Sequence, residues 1–198
     1  MLYNINIDGS LNDKIFERKE LSMVSQEDLE KIIDMYKSYT IEDLKNEMKC
    51  QKHPKSGFCF GDIWHNEKID LLFADLDEDN KLIKMIASVI LQCQKDSVEG
   101  DKIRMEKYYK DNNKEFNPQL YDFRWSTSKW IDRILNLNKG DLRLLNSICK
   151  AKSNSTFNKR LKRFFSKQIE SRYGLLFNEH KIMIFDELFK LYNTKGDA

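Results

Sequence analysis

From Gln26 onward the apolar positions fall at helical spacing. Leu29, Ile32, Ile33 and Tyr36 share one face, and Ser25 followed by Asp28 opens the segment with a capping-box pattern. Thr40 and Asp43 repeat that signal before Ile41, Leu44 and Met48. Ahead of these, Tyr3, Ile5 and Ile7 alternate with Leu2, Asn4 and Asn6 up to the turn pair Asp8-Gly9, the pattern of a half-buried strand. Pro54, Gly57 and Gly61 mark a loop between residues 51 and 61. The run 68–76, KIDLLFADL, reads as a second strand, followed by a turn at Glu78-Asp79-Asn80-Lys81. Residues 81–93 fit a buried strand and a buried helix equally well.

In the second half the period is helical almost throughout. Residues 101–111 read as a helix and 112–125 as a polar linker that turns aromatic, with Phe116, Tyr121, Phe123 and Trp125. Four helices are then expected near 128–137, 141–151, 156–173 and 179–193. Asp141 and Ser155 or Thr156 stand at candidate N-caps, with Gly174 as a stop. The expected fold class is α+β but predominantly helical. A small N-terminal strand-containing part would pack on a C-terminal bundle of about four helices. The 198 residues fit a single compact domain, with a possible division into 1–100 and 101–198.

Charge sharpens that division. Residues 1–100 hold 13 bases and 20 acids, and residues 101–198 hold 21 bases and 12 acids, within a chain of net charge +2. Apolar content of 40% is ample for a core, and no run of apolar residues is long enough to span a membrane. The N-terminus lacks the basic-then-apolar order of a secretory signal. Four dispersed cysteines, at 50, 59, 93 and 149, suggest a reduced, cytoplasmic setting rather than a disulfide framework.

Residues 150–173 carry eight Lys/Arg and one acid. On a helix over 156–173, Phe157, Leu161, Phe164, Phe165, Ile169 and Tyr173 fall on one broad face. Lys159, Arg160, Lys162, Arg163 and Lys167 fall on the other. Such a ridge binds phosphates by releasing condensed counterions; the plain alternative is the solvated face of an amphipathic helix. The order helix 141–151, short turn, basic helix resembles a helix-turn-helix. That resemblance would send the helix N-terminus, with Thr156 and Asn158, toward base edges.

Two further clusters suggest chemistry. Cys50, His53, Cys59 and His65 fall within sixteen residues around a Pro/Gly loop and could close a structural zinc site. Acids at Asp75, Asp77 and Asp79 resemble the start of an EF-hand loop, but Ile86 stands where calcium needs a bidentate Glu. The stretch EKIDLLFADLDEDNKLIKMIAS resembles the central hairpin of the PD-(D/E)xK nuclease family. Asp70 would be its metal-binding Asp, while Ile86 and Ser88 stand where that family has Glu and Lys. The resemblance makes Asp70, Asp75, Asp77 and Glu78 the candidate catalytic acids.

The aromatic segment from Tyr108 to Trp125 reads first as core packing beneath the C-terminal helices, with stacking platforms for unpaired bases as the alternative. There is no Gly-rich phosphate loop and no nucleophile elbow. The sequence thus points to a nucleic-acid-binding or regulatory protein. A protein-interaction module (an inhibitor or adaptor docking a charged partner) and a metal-dependent nuclease are the alternatives.

Overall fold

A computed structural model of the chain describes residues 25–49, 62–121, 137–170 and 175–195. About four-fifths of these are helical, and none is in a strand. Seven α-helices run in order: α1 Gln26–Met35, α2 Ile41–Met48, α3 Asp62–Phe73, α4 Lys81–Asp111, α5 Lys139–Cys149, α6 Asn154–Glu170 and α7 Leu175–Lys195. A 3-10 turn, Pro118–Tyr121, lies between α4 and α5. The expected α+β class is therefore corrected to all-α over the described residues. The strand expected at 2–7 and the helix expected near 128–137 lie outside them.

The expected strand at 68–76 is the end of α3. Ile69, Leu72 and Phe73 are buried at helical spacing, and His65, one turn earlier, is buried with them. A histidine on that face hid the period, because it reads as polar. Residues 81–93 resolve as the start of α4. Apolar side chains from Leu82 to Leu91 are buried nearly all round, as in a helix at the centre of a core. Polar Lys84, Ser88 and Gln92 recur every four residues, and Ser88 Oγ donates to the Lys84 carbonyl at 2.7 Å. With Ile86 and Ser88 inside α4, the nuclease-like hairpin is replaced by two helices and a turn.

α4 is the hub, packing on α1, α2, α5, α7 and the 3-10 turn. The caps of α1 and α2 are as read from sequence, whereas α5 is capped by Asn138 rather than the expected Asp141. Ser25 Oγ accepts from Asp28 N at 3.1 Å, and Thr40 and Asp43 form a reciprocal capping box. Two asparagines act across helices. Asn80 caps α4 by accepting from Ile83 N at 3.0 Å, and its amide donates to the Cys149 carbonyl at the end of α5. Asn146 donates to the carbonyls of Leu72 and Ala74, both at 2.9 Å, and so satisfies the open C-terminus of α3.

One apolar cluster runs through the core from Leu29 on α1 to Leu191 on α7. Phe164 on α6 meets Phe185 on α7 edge-on at 5.2 Å, and Phe157 and Phe165 both meet Phe189. These rings fix which side of α6 faces inward.

Candidate nucleic-acid interface

Residues 137–170 contain nine Lys/Arg and two acids, Asp141 and Glu170. α5 and α6 pack on each other, joined by the short turn 150–153. α6 begins where Ser153 Oγ accepts from Thr156 N at 3.2 Å and its hydroxyl donates to Thr156 Oγ1 at 3.0 Å. Ser153, rather than the expected Ser155 or Thr156, therefore caps this helix.

The five expected contact bases separate into two groups. Lys159, Lys162 and Arg163 are exposed and form a single stripe at i, i+3 and i+4, flanked along the helix by exposed Ser155 and Ser166. Arg160 and Lys167 turn sideways onto α5. Arg160 Nη1 donates to the Ser147 carbonyl, and Lys167 Nζ donates to Asp141 Oδ1 at 2.9 Å. At 100° per residue Arg160 and Lys167 lie about 60° and 40° beyond Arg163 on the α5-facing flank, Arg160 half-buried and Lys167 still exposed. Asn158 is exposed, and Thr156 is half-buried with its hydroxyl engaged by Ser153.

Beneath this flank sits a polar cluster that the sequence did not reveal. Asp141, Gln168 and Lys181 are 1%, 2% and 1% exposed. Asp141 is the third residue of α5, in a reciprocal capping box with Asn138: its Oδ2 accepts from Asn138 N and its own N–H donates to Asn138 Oδ1, both at 3.0 Å. Its Oδ1 accepts from Gln168 Nε2 at 3.0 Å as well as from Lys167, and Lys181 Nζ lies 3.9 Å from Oδ2. Gly140 makes room, since a Cβ there would come within 2.8 Å of Lys167 Nζ.

Burial alone would raise the Asp141 pKa. The hydrogen bonds from Lys167, Asn138 and Gln168, with the Lys181 charge, outweigh it and hold the carboxyl below its ordinary range. Burial lowers the Lys181 pKa; Asp141 opposes that shift and Lys167 adds to it. A usable signal was in the sequence: Lys181 stands three and four residues before Ile184 and Phe185, on the buried face of α7.

The other candidates are dispersed. Asp70 is exposed on α3 and paired with Lys49 at 2.7 Å and Lys45 at 3.7 Å. Asp75 sits in the α3–α4 turn at φ 51, with Lys150 at 3.5 Å. The Asp77 carbonyl accepts from Asn80 N at 3.0 Å, and Glu78 is exposed. Among the described residues no three His, Cys, Asp or Glu side chains gather as metal ligands would. For the zinc cluster, His65 is buried with Nε2 2.7 Å from the Met48 carbonyl. Cys50, His53 and Cys59 lie outside the described residues. Tyr109 meets Tyr108 and Phe116 edge-on, each at 5.9 Å, near the far end of α4.

Compared with known proteins, the chain matches no family model, no curated protein and no solved structure. No described helix is long and apolar enough to cross a membrane.

Proposed function

We propose that the chain is a nucleic-acid-binding protein whose contact surface is the outer face of α6. One observation carries this reading. Lys159, Lys162 and Arg163 are displayed to solvent in one row, while Asp141, the one acid within reach on α5, is buried and neutralised. A solvated helix face usually mixes charges of both signs, as α1 does with its Glu27–Lys31 pair at 2.8 Å. On this surface the α5 acid is withdrawn and the bases outnumber the exposed acid of α6, Glu170 at its C-terminal end, so the field is predominantly positive and attracts polyanions.

The proposed setting is the reducing cytoplasm. Burial pushes the Cys149 thiol up to about 12, so it is not poised for disulfide exchange.

The test is binding of labelled nucleic acid to the wild-type chain and to K159E/K162E/R163E. Three phosphate contacts give a slope of about −2.7 in log affinity against log salt, or roughly 40-fold between 50 and 200 mM. The triple variant is expected to fold normally and lose both binding and slope. Retained binding in that variant removes α6 as the interface.

A further inference from the structure

We infer that the ligand of α6 is double-helical nucleic acid, gripped by its phosphates without regard to sequence; this rests on the nucleic-acid reading above. Proteins that hold single strands combine a cationic groove with aromatic rings on which successive bases stack. On α6 those two ingredients face opposite ways. The three rings of the helix, Phe157, Phe164 and Phe165, are spent inward against Phe185, Phe189 and Tyr192. The outward row holds Ser155, Lys159, Lys162, Arg163 and Ser166, which are charges and hydroxyls suited to phosphate oxygens.

An exposed ring does occur elsewhere: Tyr108 is 51% exposed on α4. It stands among Glu106, Asp111 and Glu115 as well as Lys107, Lys110 and Lys114, so the ring lacks a one-sign field. Among the described residues, rings and the cationic row therefore do not coincide.

Geometry adds to this. Ser155 to Ser166 is a straight helical row of about 16 Å, rigid because its inner side is locked to α5 and α7. A rigid row suits a rigid ligand, and a duplex offers twice the phosphate density of one strand along its axis. Asn158, the amide nearest the row, lies about 100° around the helix from Lys159, and the Thr156 hydroxyl is engaged by Ser153. The row itself carries no amide.

The experiment is fluorescence anisotropy on the full chain with labelled DNA of roughly 20 base pairs, in two unrelated sequences, each also as its single strand. The duplexes are expected to bind about ten-fold tighter than the single strands and within about two-fold of each other. Single strands that bind as tightly as duplex overturn the inference and leave the nucleic-acid reading standing. One duplex preferred many-fold over the other overturns its sequence-independent part. Binding of none of the four at low salt overturns the nucleic-acid reading itself.

Discussion

Where α1 and α2 pack on α4, the contact is apolar. Leu29, Ile32, Ile41, Leu44 and Met48 are buried, with Tyr36 buried beside them and its hydroxyl paired. There Tyr36 donates to Gln92 at 2.9 Å, Gln92 donates to Asp96 at 2.9 Å, and Lys95 lies 5.0 Å over the Tyr36 ring. Where α5, α6 and α7 meet, a carboxylate, an amide and an ammonium are buried beside the phenylalanines. Apolar packing is non-directional, so it tolerates small rotations of a helix. Hydrogen bonds to Asp141 from two adjacent residues of α6, Lys167 and Gln168, do not. The rings set which side of α6 faces inward, and the polar cluster adds a directional constraint that holds that rotation.

The comparison breaks most visibly at Asp141. Asp141→Ala removes the carboxylate facing Lys167, Gln168 and Lys181, and should cost about 3–5 kcal/mol in urea unfolding. Lys181→Met should cost less, about 1–2 kcal/mol, because Asp141 keeps its three hydrogen bonds. Equal losses would mean that the two charges act as an indivisible pair.

Leu29→Ala, on the apolar side, should cost about 2–5 kcal/mol. Its effect should be independent of pH, unlike that of the cluster. The folded pKa of Asp141 lies below the unfolded one, so on acidification the unfolded chain takes up that proton first. The stabilisation is full above the ordinary carboxylate range and is lost as pH falls through the folded value. Unfolding measured from pH 6 downward should show a slope that Asp141→Asn reduces and Leu29→Ala leaves intact.

The smallest effect sharpens the contrast by its sign. Gln94 is buried in α4 with neither Nε2 nor Oε1 hydrogen-bonded. Gln94→Met replaces an unpaired amide with an apolar chain of similar shape and should be neutral or stabilise by about 1 kcal/mol. A clear loss in thermal unfolding would show that the amide has a partner in solution.

The same contrast explains what could be read from sequence. α1 and α2 were legible because caps and apolar spacing agree, at Ser25 and Thr40. The last three helices were legible by apolar spacing, as on the Phe164–Phe185 face, while the caps of α5 and α6 fall at Asn138 and Ser153 rather than at Asp141 and Ser155 or Thr156. α3 was lost because IDLLFADL is short and apolar, and its helical period depends on counting buried His65. α4 was ambiguous because a helix buried all round has no polar face to set its period. The stripe Lys159, Lys162 and Arg163 was found, but Arg160 and Lys167 were grouped with it. Their diversion onto α5 depends on Ser147 and Asp141, which only tertiary packing brings near.

That division between displayed and structural bases is the central claim, and one paired measurement tests it. Duplex affinity and thermal stability would be determined for K159A/K162A/R163A and for R160A/K167A. The first variant should lose binding at wild-type stability, and the second should lose stability while its folded fraction still binds. Equal losses of affinity with unchanged stability in both would contradict the account, since all five bases would then be a single solvated ridge.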